Sequence, residues 1–129
     1  MARILAIDDD DLARSVVCEL LETMGHEVVE ADNSREGVEA FRRREIDLII
    51  TDLFMPPEGG LGVIQNVRKF DQDVKIIVVS GMALDNRDLI FKQVLEAGAT
   101  DTLEKPIDPR KFKQMVTQLL EDETASNTG

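Results

Sequence analysis

Cysteine and histidine each occur once among the 129 residues, as Cys18 and His26, and tryptophan and tyrosine do not occur at all. A lone cysteine closes no disulfide within the chain, so a bridged scaffold is excluded. Long apolar runs are missing too. After Met1-Ala2-Arg3 the stretch from Ile4 to Ile7 meets the acidic run Asp8 to Asp11. That is too short for a signal-peptide core, and no later run approaches a membrane span, so a cytoplasmic location is expected. Positive charge is scarce: 15 Lys and Arg face 26 Asp and Glu, a formal net charge of −11. Such a surplus repels phosphate backbones and anionic lipid, and the basic run Arg42-Arg43-Arg44 is short, so neither direct nucleic-acid binding nor membrane association is expected. No Gly-x-Gly-x-x-Gly turn follows the first apolar run, which removes dinucleotide binding.

What is present suits one small globular domain. Hydrophobic residues make up 43% and charged residues 32%, enough aliphatic content for a chain of this length to bury roughly two thirds of its unfolded surface. Two periodicities alternate. Short β-type runs lie at Ile4 to Ile7, around Val28-Val29, at Leu48 to Thr51, at Ile76 to Val79 and, more weakly, at Thr102-Leu103. Helical patterns fill the gaps. The first sets Leu12, Val16, Val17, Leu20, Leu21 and Met24 on one face and stops at Gly25. The second opens at Asn33-Ser34, turns Val38 and Phe41 inward and ends in the arginine triplet, where positive charge suits the helix dipole. The third runs from about Gly60 through Leu61, Ile64 and Val67. The fourth starts near Asp85, presents Leu89, Ile90, Val94 and Leu95, and ends at Gly98. The last begins at Asp108-Pro109 and repeats Phe112, Met115, Val116, Leu119 and Leu120. This alternation predicts a doubly wound α/β fold with a parallel sheet, the runs at 48–50 and 76–79 being central because they lack polar alternation. The domain is expected to span 1–121 and the polar remainder, 122–129, to be a disordered tail.

Parallel strands place their carboxyl ends on one edge, where open α/β folds bind ligands. There the sequence puts Asp8-Asp9 after strand one, Asp52 after strand three, Ser80 after strand four and Lys105 after strand five. Each has an ordinary local reading as a turn, cap or solvated residue, and Asp10 and Asp11 suit the start of the first helix. Their gathering on one edge is what those readings leave unexplained. Crowded carboxylates raise one another's pKa and suit a hard divalent cation such as Mg²⁺. A nucleophilic carboxylate attacking phosphorus needs its partner's equatorial oxygens neutralised, for which Lys105 and Ser80 are suitable. His26 lies between the first helix and the second strand and reads as a turn residue, so a phosphoryl donor has to come from another molecule. Cys18 reads as a packed thiol.

With these residues in order, together with Met55-Pro56 and Lys105-Pro106, the chain resembles the receiver domain of two-component response regulators over about residues 3–120. The resemblance implies a flavodoxin-like sheet in the order 2-1-3-4-5. It implies Asp52 as phospho-acceptor and Mg²⁺ held by Asp9, Asp52 and the Phe54 backbone carbonyl, with Asp8 acting through a water. Ser80 becomes the switch hydroxyl, Lys105 a partner of the phosphoryl group, and the Lys105–Pro106 bond cis. The partners implied are a histidine kinase or histidine phosphotransfer protein and an unknown downstream protein. The chain is then a single-domain, phosphorylation-controlled binding module rather than an enzyme. It departs from the family in three places: Thr102 stands where an aromatic is common, the loop Pro56-Pro57-Glu58-Gly59-Gly60 lacks the usual acid before its glycine, and the stretch from Ser80 to Gly98 is about three residues longer than in many relatives.

Two rival functions share parts of this pattern. An aspartyl-phosphate phosphohydrolase would use the same nucleophile, metal and lysine, but carries a second Asp two residues later, where this chain has Phe54. A receiver-like module working without phosphorylation would not need the acidic, hydroxyl and lysine positions to be complete. Phe54 and Met82, next to the expected acceptor and switch, are expected to restrict attacking water and so prolong a phosphorylated state.

Overall fold

The computed structural model describes residues 1–55, 57–81 and 87–128. Strands and helices alternate as β1 Arg3–Ile7, α1 Asp11–Thr23, β2 Glu27–Ala31, α2 Ser34–Arg43, β3 Leu48–Asp52, α3 Gly59–Arg68, β4 Lys75–Ser80, α4 Arg87–Ala97, β5 Asp101–Glu104 and α5 Pro109–Thr128. All strand pairings are parallel, and the order is β2-β1-β3-β4-β5. The expected doubly wound sheet is therefore present.

The continuous apolar runs occupy the centre. Leu48 to Ile50 and Ile76 to Val79 are buried, as strands covered on both faces must be. Alternation along the strands sorts their side chains into two cores. Ile4, Ala6, Leu48, Ile50, Ile77 and Val79 face α1 and α5, meeting Val17, Leu21, Phe112 and Val116. Leu5, Ile7, Ile49, Ile76 and Val78 face the opposite layer, where α3 contributes Val63, Ile64 and Val67 and α4 contributes Val94, with Val38 and Phe41 of α2 packed alongside.

Helix ends follow the local chemistry. Asp10 caps α1, its Oδ1 accepting from the Leu12 and Ala13 N–H groups, and the Asn33 side chain accepts from Glu36 N–H at the start of α2. Asp108 accepts from Arg110 N–H at 2.9 Å before α5. Gly25, with φ of +88°, ends the α1 region in the left-handed conformation that glycine tolerates. His26 is a local brace: its Nδ1 accepts the Ala2 N–H at 3.1 Å, and burial together with the nearby amino terminus lowers its pKa.

The buried arcs of two helices are narrower than their apolar patterns suggest. On α1, Val17, Cys18 and Leu21 are buried while Leu12 is 76% exposed and Val16 is also exposed. On α4, Val94 is buried with Ile90 and Phe91 beside it, whereas Leu89 and Leu95 lie outside. Val16, Leu89 and Leu95 each sit one residue, about 100° of helix rotation, from a covered neighbour, and Leu12 lies further round its helix. The fourth helix's expected start at Asp85 lies outside the described residues. Helix α5 continues to Thr128, across the stretch whose composition predicts a disordered tail. Among the described side chains of α5, Phe112, Val116 and Leu119 are buried. Among the described residues no helix is long and apolar enough to cross a membrane.

Candidate functional site

The carboxyl edge of the sheet gathers the polar residues expected there. Asp8 follows β1, where its N–H still reaches the Ala31 carbonyl on β2 at 3.1 Å. Its side chain is nearly buried: Oδ1 accepts from Asp10 N–H at 2.9 Å, closing a tight turn, and Oδ2 accepts from Lys105 Nζ at 2.9 Å. Asp52 ends β3, paired in register with Val79 of β4, and its Oδ1 lies 3.1 Å from the same Lys105 Nζ. Asp9 is exposed beside them. Carboxylate oxygens of Asp8, Asp9 and Asp52 all lie within 4.8 Å of one another.

Backbone contacts fix these positions. Lys105 N–H donates to the Ser80 carbonyl at 2.8 Å, so the lysine leaves β5 directly beside the end of β4, and the Lys105–Pro106 bond is cis. Ser80 is buried at that strand end. After Asp52 the chain tucks Leu53 and Met55 inward and turns Phe54 outward, 46% exposed. Leu53 N–H donates to the Val79 carbonyl, and the Leu53 carbonyl accepts from Gly60 N–H at 2.8 Å. Helix α3 then begins so close to β3 that a Cβ on Gly60 would stand 2.5 Å from the Asp52 carbonyl oxygen, an approach only glycine permits. Glu58 N–H donates to the buried Ser34 hydroxyl at 3.1 Å, tying this loop to α2.

The electrostatics follow from this crowding. Burial and the neighbouring Asp8 charge push the Asp52 pKa up, only partly opposed by Lys105. Burial alone would lower the Lys105 pKa, but its hydrogen bond to Asp8 and the charge of Asp52 outweigh it, and the net shift is upward. Three carboxylates around one ammonium leave a surplus of two negative charges. Converging oxygen donors with unneutralised charge form the environment a hard divalent cation takes. The donor set therefore fits Mg²⁺.

The structure thus brings Asp8, Asp9, Asp52 and Lys105 together and sets Ser80 and Phe54 at the adjoining strand end and loop. Thr102 lies within β5, paired with Val78. Met82 lies outside the described residues. One contributor is absent from the expectations above: Arg14 of α1, whose guanidinium reaches the Asp8 carbonyl at 2.7 Å. Its sequence signal is a cation in the first turns of a helix, where the dipole disfavours it.

A 2-1-3-4-5 parallel sheet with three carboxylates and a lysine on its carboxyl edge defines a receiver-type signalling module. The profile of the response regulator receiver domain matches residues 4–117, and the chain belongs to that family. It is 30% identical over 118 residues to the chemotaxis protein CheY of Thermotoga maritima, covering 91% of this chain and 96% of that protein. It is 34% identical over 127 residues to the probable transcriptional regulator ycf27 of Porphyridium aerugineum, covering 97% of this chain but only 51% of that longer protein. Among solved structures, a CheY-like receiver domain protein from Methanospirillum hungatei superposes with a TM-score of 0.88 at 26% identity, over 98% of both chains. Receiver domains take phosphoryl groups from histidine kinases and serve as signalling modules.

Proposed function

We propose that this chain accepts a phosphoryl group on Asp52 from a phosphohistidine of a histidine kinase or histidine phosphotransfer protein, and signals through altered binding to a downstream protein. The observation that carries the reading is Lys105 Nζ held between Asp8 Oδ2 at 2.9 Å and Asp52 Oδ1 at 3.1 Å. In the transfer, an Asp52 carboxylate oxygen forms a bond to phosphorus while the phosphorus–nitrogen bond to the donor imidazole breaks, and that imidazole leaves. Hydrolysis later returns the carboxylate and releases inorganic phosphate.

Each residue has a part in this. Asp52 is the nucleophile, attacking through a carboxylate oxygen. Lys105 pairs with a phosphoryl oxygen, exchanging part of its contact with Asp52 for the new anion. Ser80 supplies a hydroxyl donor from the adjoining strand end, and its movement is the conformational output. Asp9, Asp52 and the Phe54 carbonyl would hold Mg²⁺, with Asp8 acting through a water. When bound, the ion neutralises charge that develops on the phosphoryl oxygens. The receiver unit is assigned to residues 1–121, and a cytoplasmic setting follows from the kind of partner proposed.

Intact mass measured after incubation with acetyl phosphate, with and without Mg²⁺, tests the reading. One phosphoryl group should be gained only with Mg²⁺ and only when Asp52 is intact. Well-folded protein that gains nothing, and does not respond to beryllofluoride, would leave a module that binds partners without phosphorylation.

A further inference from the structure

The peptide joining Asp8 to Asp9 lies just beyond the sheet. The β1–β2 ladder ends at Ile7 and Ala31, and the β1–β3 ladder at Ile7 and Thr51. Asp8 N–H still finds the Ala31 carbonyl, but the Asp8 carbonyl, one step further on, accepts from Arg14 Nη1 at 2.7 Å. The same guanidinium is fixed by two other acceptors: Nη2 donates to Asp11 Oδ1 at 2.8 Å and Nε to Glu30 Oε1 at 3.0 Å. Its side chain is only 16% exposed.

The ion pairs with Asp11 and Glu30 hold the guanidinium in place, but they do not explain why its remaining donor reaches the Asp8 carbonyl. A cation near a helix N-terminus opposes the dipole, and a positive charge beside a cation site weakens cation binding. What the guanidinium offers is geometry: a planar fork whose donors tie β1, α1 and β2 to one carbonyl. Rotation of that peptide would swing Asp9, the exposed member of the carboxylate cluster, away from Asp8 and Asp52.

We propose that Arg14 is a positioning residue for the acidic site: anchored by Asp11 and Glu30, it holds the Asp8 carbonyl and thereby sets the direction of Asp9 for divalent-cation binding. This inference rests on the receiver reading above. It makes a prediction opposite in sign to that of charge alone. Removing a positive charge should tighten Mg²⁺ binding if only charge counts, and should weaken it if position counts.

The test is the Mg²⁺ dissociation constant, obtained from melting temperature against Mg²⁺ concentration, for wild type, Arg14→Met, Arg14→Lys, Glu30→Gln and Asp9→Asn. Both Arg14 variants are expected to bind Mg²⁺ about 10-fold more weakly, the scale on which outer-shell partners of metal ligands act. Arg14→Lys should not rescue, because an ammonium keeps the charge and loses the fork. Glu30→Gln, a half-exposed change that leaves the fold intact, should weaken binding in the same direction by less. Phosphorylation by acetyl phosphate should recover towards wild type in Arg14→Lys at saturating Mg²⁺, separating cation affinity from the transfer step. Unchanged or tighter Mg²⁺ binding in Arg14→Met, or full rescue by lysine, overturns the positioning role while leaving the receiver reading in place. If the Arg14 variants do not fold, an unchanged dissociation constant in Glu30→Gln overturns it instead. A wild type whose melting ignores Mg²⁺ overturns both.

Discussion

Lys105 and Asp8 lie 97 positions apart in sequence and 2.9 Å apart in space, in a hydrogen-bonded ion pair that is mostly withdrawn from water. The same ammonium is 3.1 Å from Asp52. One lysine thus moderates two carboxylates on strands to which its own strand is not directly paired, and its removal strands both charges. Lys105→Met should therefore destabilise the protein by about 2 kcal/mol, the scale for a buried charge losing its partner. In an Asp8→Asn background the same substitution should cost less, because one of the two carboxylates it would strand is already gone. Urea unfolding of the four proteins checks this, and additive losses would show that the pair is not coupled.

Asp52 is held in a setting that favours its neutral form. Its folded-state pKa is raised by burial and by Asp8, so the stability associated with it is complete below the ordinary aspartate value of about 4 and is lost as pH rises through the folded value. At neutral pH the ionised group is a standing cost. Asp52→Asn should accordingly melt above wild type at pH 7 without metal, and the difference should shrink as the pH is lowered towards 4. A variant that melts below wild type at pH 7 contradicts the sign.

Mg²⁺ should stabilise the wild type by roughly 2.7 kcal/mol at a hundred times its dissociation constant, provided only the native state binds it. Asp52→Asn, already relieved of one charge, should respond less. Equal melting shifts in the two proteins would remove Asp52 from the ligand set.

The Phe54 ring stands outward two residues beyond Asp52. Replacing it by asparagine should speed the loss of the phosphoryl group, because a polar side chain beside the proposed acceptor can hydrogen-bond the attacking water and the ring cannot. Decay of phosphoprotein followed by intact mass measures this, and identical half-lives would leave the ring without that role.

Cys18 is buried, and burial together with the neighbouring Glu30 pushes its thiol up to about 12. At pH 8 almost no thiolate is present to react. Native protein should resist iodoacetamide and become labelled only on unfolding, so rapid labelling of the native state would show that α1 opens more readily than its packing implies.

Much of this was legible because strands were. Ile4 to Ile7, Leu48 to Thr51 and Ile76 to Val79 declare themselves by unbroken apolar character, and once they are parallel, the residues that follow them must meet on one edge. Asp8, Asp9, Asp52 and Lys105 are therefore readable from position alone. Helix faces were less so. An apolar residue can sit beside the covered stripe, as Leu89 does, or well round from it, as Leu12 does, since the pattern gives the period and not the width of the covering sheet. Arg14 carried only the faint signal of a cation near a helix start: its acceptors come from β1, α1 and β2, and no local spacing announces a bond to a main-chain carbonyl.

The separation of Asp8 and Lys105 along the chain also bears on when the site comes into being. Asp8 leaves the ribosome 97 residues before Lys105. A nascent or C-terminally shortened polypeptide lacking β5 holds its carboxylates without their ammonium, and contacts of such long sequence separation form late in folding. The proposed phosphoryl transfer would then be withheld from any nascent chain or fragment that lacks β5.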